Sequence, residues 1–85
     1  MPPPFHLVNA SFDSVTRLAI AAAGTGDYRA IALGHPLQGG LDAITFDVPA
    51  GGCLRDLRVT FANGRVLDVP AINVCRRHGL RLAGR

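Results

Sequence analysis

The segment from Cys53 to Cys75, CLRDLRVTFANGRVLDVPAINVC, constrains the fold more than any other part of the chain. Two runs rich in strand-forming residues flank Asn63-Gly64, a dipeptide that reverses hairpins because both residues accept the backbone a tight turn demands. The only two cysteines lie at the two ends of the segment. A hairpin brings its ends together, so the same residues predict a local fold and a covalent staple for it.

Side-chain alternation selects the register. A three-residue loop, Ala62-Asn63-Gly64, with glycine in the left-handed region, sets Phe61 against Arg65, Val59 against Leu67 and Leu57 against Val69. Arg58 then stands opposite Asp68 as a cross-strand ion pair on the outer face. A two-residue loop would oppose Val59 to Asp68. In the second strand the apolar side changes phase. Leu67, Val69 and Ala71 share one face, and then Ile72 and Val74 take over. One extra residue near Pro70 accounts for the change, since proline is tolerated at bulges and edges. Cys53 then lies opposite Val74 and beside Cys75. A Cys53–Cys75 bridge would stabilise the fold by roughly 3 kcal/mol in the chain-entropy picture. Two free buried thiols are one alternative. A metal site from Cys53, Cys75 and His78 with His6 or His35 is another, but it shows only half of the paired short spacing a structural zinc site uses.

Composition narrows the class. A chain of 85 residues is one small domain, read as a flexible proline-rich lead-in over 1–4 and a single β domain over 5–85. Hydrophobic residues make up 48 % of it, but twelve are alanines, so the core is small and a staple is useful. Every basic residue is Arg and every acidic one is Asp. Without Lys and Glu two good helix formers are missing, and ten Gly and six Pro add breakers. The balance favours strands.

Charge is uneven. Residues 1–52 carry two Arg against four Asp, and residues 53–85 carry seven Arg against two Asp. Arg55, Arg76, Arg77, Arg81 and Arg85 are therefore candidate contacts for a polyanion such as nucleic acid, an anionic glycan or lipid headgroups. A solvated sheet face is the plainer reading. Single-strand binders also need aromatic stacking platforms, and the basic half holds only Phe61, turned toward the core. No stretch of 18 apolar residues is present to span a membrane as a helix. The start, Met-Pro-Pro-Pro-Phe, is not a secretory leader, so an exported chain is expected to have lost its leader.

Along the chain, Phe5–Ala10 alternates as a first strand, and 11–14 turns. Val15–Ala23 reads as a second strand. Residues 24–40 form an irregular, glycine-punctuated region, with a short strand or a helical turn over Tyr28–Leu33. Leu41–Val48 alternates with Ile44, Phe46 and Val48 inward. The hairpin follows, and Leu80–Ala83 adds a last strand. About six or seven short strands with turns between them predict a small antiparallel sandwich or barrel. Tyr28, Arg29 and His35 make the irregular region the best candidate binding loop, since loops carry function on β scaffolds. The competing reading has Tyr28 plugging the end of the sandwich. The glycines match no phosphate-binding fingerprint and no G-x-S-x-G nucleophile is present. No cofactor and no metal are expected.

The order of these pieces resembles a family of small exported proteobacterial proteins of unknown function. Its pattern runs F-x-L-x-N, then a W-G-x-D-x-L-G loop, then C-x-x-D-[IL]-R-V-x-[FY]-x-[DN]-G, then V-[DN]-x-C. Phe5-His6-Leu7-Val8-Asn9, the run from Cys53 through Asp56-Leu57-Arg58-Val59 to Asn63-Gly64, and Ile72-Asn73-Val74-Cys75 match it. The loop departs from it: Tyr28 stands in place of Trp, Arg29 in place of Gly and Ile31 in place of Asp, while Leu33-Gly34 is kept. The resemblance implies export and a β fold.

These readings converge on an all-β sandwich with one disulfide, in the periplasm or secreted. The expected role is a noncatalytic binding or structural module for a protein or envelope component. The alternatives are the polyanion binder described above and a small enzyme with a site near His35 and Tyr28.

Overall fold

The computed structural model describes residues 4–83, so most of the proline-rich lead-in and Arg85 lie outside the described residues. Seven strands and no helix form within this range: β1 (Phe5–Ala10), β2 (Val15–Ala22), β3 (Arg29–Ile31), β4 (Asp42–Phe46), β5 (Leu54–Phe61), β6 (Val66–Asn73) and β7 (Gly79–Ala83). They make a three-stranded sheet in the order β4-β1-β7 and a four-stranded sheet in the order β3-β2-β5-β6. Phe5, Leu7, Phe46 and Leu82 of the first sheet and Leu18, Ile20, Leu57, Val59 and Phe61 of the second belong to one buried cluster. This is the period-2 pattern read from the sequence, with each inward row facing the other sheet.

One pairing is parallel. Strand β7 lies alongside β1 with Leu80 beside Leu7, while β1 and β4 run antiparallel. The chain reaches that position by leaving β6 after Asn73 and crossing from one sheet to the other, which a hairpin turn cannot do.

The corner after β1 is held by Asn9, which is fully buried. Its amide nitrogen donates to the Asp13 and Leu37 carbonyls, and its Oδ1 accepts from the Ser11 backbone N–H and hydroxyl. One side chain thus satisfies polar groups from the turn and from the far end of the irregular region, without which their burial would be costly.

The hairpin register matches the alternation argument. Val59 opposes Leu67, Leu57 opposes Val69 and Arg58 opposes Asp68. Phe61 N–H donates to the Arg65 carbonyl, Gly64 N–H donates back to Phe61, and Gly64 has φ 87°. Further along, Arg55 opposes Ile72, so Pro70 and Ala71 together face Asp56 as the expected bulge. Ala71 adopts φ 53°, and its N–H is taken by the Asp56 carboxylate. Val74 N–H then donates to the Cys53 carbonyl, and Cys53 is bonded to Cys75 across a Cα–Cα distance of 5.2 Å.

Three expectations need correction. Leu67 keeps its register but is 39 % exposed rather than in the core, because β6 is the sheet edge. Leu41 lies outside its strand, exposed, with φ 83°. Tyr28 does not plug the sandwich end. It lies against the outer face of the four-stranded sheet, under the Arg58 guanidinium.

Candidate functional site

The outer face of the four-stranded sheet is concave. Ala19 pairs with Ala30 on one side and with Arg58 on the other, so small side chains leave the middle of that face low. The Leu33–Pro36 segment, the stacked Tyr28 and Arg58, and Thr60 surround it. The result is an open groove of about 710 Å³, with Arg17 of β2 also lining it. The groove is positioned by backbone pairing: Leu37 and Val15 exchange both N–H···O bonds, which ties the end of the irregular region to the start of β2.

Its best-defined edge is a row of three side chains. The Arg58 guanidinium carbon lies 4.2 Å from the centre of the Tyr28 ring. The same guanidinium donates from Nε to Asp68 Oδ1 at 2.8 Å and from Nη2 to Oδ2 at 3.3 Å. The fork matches the carboxylate, and the aromatic face attracts the cation from the other side. The hydrogen bond from Arg58 holds Asp68 below the ordinary aspartate value, and the same bond raises Arg58 above its own ordinary value. Arg17 forms no ion pair among the described residues, and the carboxylate at the groove's edge, Asp68, is taken up by Arg58. The groove's net character is cationic, with an aromatic ring and an exposed imidazole, His35, on the loop side.

The candidate loop residues separate. Tyr28 and His35 line the same groove, whereas Arg29 lines a second, smaller cleft at one end of the sandwich. The proposed polyanion set separates too. Arg76, Arg77 and Arg81 are exposed on the 76–78 crossing and on β7. Arg55 is a correction: it is 4 % exposed, and its Nε and Nη2 donate to the Gly52 and Pro49 carbonyls, so it is not a surface cation. It lies on the inner face because it shares the phase of Leu57 and Val59 along β5. Cys53 and Cys75 are bonded to each other, so neither sulfur can serve as a thiolate ligand. Among the described residues no group of three or more His, Cys, Asp or Glu side chains could hold a metal ion.

Arg17 and the groove role of Arg58 were missed by sequence reasoning. Both follow from the strand order β3-β2-β5, which sets Tyr28, Arg17 and Arg58 on one face, and no local pattern announces that order. No family model, curated protein or solved structure matches this chain. No helix among the described residues is long and apolar enough to cross a membrane.

Proposed function

We propose that this protein is a noncatalytic binding module of the periplasm or the secreted fraction, and that its ligand lies in the groove on the outer face of the four-stranded sheet. The observation that carries the reading is the groove lining, where Tyr28, His35 and Arg17, unpaired among the described residues, come together with Arg58, whose charge is already met by Asp68. That chemistry suits an acidic, partly apolar segment of a protein or envelope component. The Cys53–Cys75 bond supports the location, because such bonds persist in oxidising compartments. The resemblance to small exported proteins points the same way.

Tyr28 is the sole tyrosine and the chain has no tryptophan, so its emission reports directly on the groove. Titration with an acidic probe peptide is expected to change that emission saturably. Arg17→Glu is expected to abolish the change, and Arg76→Gln with Arg77→Gln to leave it intact. A flat titration, or chemical conversion of the probe, would defeat the reading.

A polyanion surface on Arg76, Arg77 and Arg81 is a second reading, favoured by their common exposure. It requires retention on heparin at low salt that falls steeply as salt is added and that is lost when those three residues become Gln.

A further inference from the structure

Arg55 is a buried cation without an anion. It leaves β5 into the inner row and is 4 % exposed, yet the two groups that hold it are neutral carbonyls, those of Gly52 and Pro49. The one ion pair among the described residues is Arg58–Asp68, on the opposite face. Burial of an unpaired charge is unfavourable, and carbonyl dipoles offset only part of that cost.

The remaining nitrogen shows where the other part can come from. Every fully buried side-chain nitrogen or oxygen among the described residues has a hydrogen-bond partner. Nη1 of Arg55 has none among those residues, so it is the part of the guanidinium that is not fully buried. Arg55 lines a cleft of about 200 Å³ between the end of β2, Arg29 and the Pro49–Gly51 turn. The turn is shaped around the guanidinium: a Cβ on Gly51 would stand 2.7 Å from Nη2. With the guanidinium pinned by two carbonyls, no larger residue fits there without displacing it.

The cleft has a definite charge and size. Arg29 pairs with Ile20 across the sheet and so leaves β3 toward the same side as that inward residue, bringing a second guanidinium to the rim. Asp27 also lines the cleft, so two cations against one carboxylate leave a single positive charge. Ile20, Pro49 and Ala50 supply an apolar wall. At roughly 30 Å³ per water, the space takes a body on the order of six to ten heavy atoms.

We propose that this cleft binds the carboxylate of a small monoanion, with Nη1 of Arg55 and the Arg29 guanidinium gripping the two oxygens and the apolar wall covering a short hydrocarbon body. The carboxylate belongs either to a free short-chain acid or to the C-terminus of a peptide. This site is separate from the outer-face groove and stands or falls without it.

Butyrate, acetyl-alanyl-alanine and butyramide serve as probes in a ¹H–¹⁵N NMR titration of the whole chain. Butyrate or the peptide is expected to shift Arg55 Nε–H and the amides of Ala22–Asp27 and Ala50–Cys53 saturably. The tighter of the two identifies the source of the carboxylate. Butyramide and ionic-strength-matched chloride are expected to leave these signals in place. Arg29→Gln should weaken binding about tenfold, the loss expected for one hydrogen bond to a charged group. Asp27→Asn should tighten it several-fold and admit succinate. Both positions are exposed, so these variants keep the fold. Equal response to butyramide, linear shifts identical to those with chloride, or affinity indifferent to both substitutions overturns the proposal.

Discussion

The two ends of the β5–β6 hairpin are built by different means. At the turn end the loop closes through partners close in sequence, and Ala62 N–H, donating to Ser14, and Asn63 Nδ2, donating to Asp13, tie it to the corner after β1. Phe61, Asn63, Gly64 and Arg65 close the loop among themselves, and Asn63 Oδ1 also accepts from Arg65 N–H. At the open end the disulfide and the Asp56 carboxylate join residues distant in sequence, although Arg55 is held locally. Cys53 is joined to Cys75 across a separation of 22 residues, and the Asp56 carboxylate accepts from Gly24 and from the bulged Ala71. Arg55 is held by the Pro49–Gly52 turn. The turn end is thus specified mainly by local chemistry, and the open end mainly by the disulfide and the Asp56 contacts, which exist only once the sandwich has formed. The same end carries the buried, unpaired arginine, so the region that depends most on the fold is also the one with chemistry to offer.

Breaking the open end should have the largest effect. Replacing both cysteines by Ala removes the closure of a loop with 22-residue separation and should lower stability by roughly 3 kcal/mol, read from denaturant midpoints. The loss should be uneven. Amide exchange of Val74, whose N–H donates to Cys53, and of Leu54, which pairs with Asn73, should accelerate more than that of Phe61 at the turn. Uniform acceleration would show that the two ends are one cooperative unit and that the contrast drawn between them is wrong.

The turn end offers a smaller and purely conformational test. Gly64 has φ 87°, and a Cβ there would meet nothing within 4 Å. Gly64→Ala therefore changes backbone strain alone and should cost about 1 kcal/mol, the penalty of left-handed backbone for an L-residue. A null result in thermal melts would mean that the loop relaxes to another turn type. The NMR signature of that would be loss of the Arg58–Asp68 cross-strand contact.

This contrast also explains what could be read in the residues alone. Asn63-Gly64 and the alternation of Leu57, Val59 and Phe61 fixed the register, and the phase change at Ile72 located the bulge, because each signal lies within one strand or its turn. The exposure of Leu67 was not legible, since alternation shows which side a residue faces but not whether the opposite sheet reaches that far. Arg55 was misjudged for a related reason. An arginine counted in a basic half is assumed to be at the surface, yet its place two residues before Leu57 put it in the inner row. The groove was half legible: Tyr28 and His35 were picked from one loop, but Arg17 and Arg58 join them only through strand order.

Two aspartates give the finest test, because both titrate low for different reasons. Asp56 is lowered first by the Gly24 N–H and then by the Ala71 N–H, at the open end. Asp68 is lowered first by its hydrogen bond from Arg58 in the middle of the hairpin, with the Arg58 charge adding to it. For both, the folded value lies below the unfolded one. Each therefore contributes stability that is fully present above the ordinary aspartate value of about 4 and is lost as pH falls through the lower folded value. Asp56→Asn and Asp68→Asn should each flatten the fall in stability below about pH 4, measured by urea midpoints across that range. Salt separates them. At 1 M salt the screening length shrinks to about 3 Å, so the exposed Arg58–Asp68 contribution weakens, while the Asp56 hydrogen bonds to neutral N–H groups persist. The acid slope removed by Asp68→Asn should therefore shrink with added salt and that removed by Asp56→Asn should not. Equal salt sensitivity would mean that Asp56 acts through charge on the nearby arginines rather than through the bulge it closes.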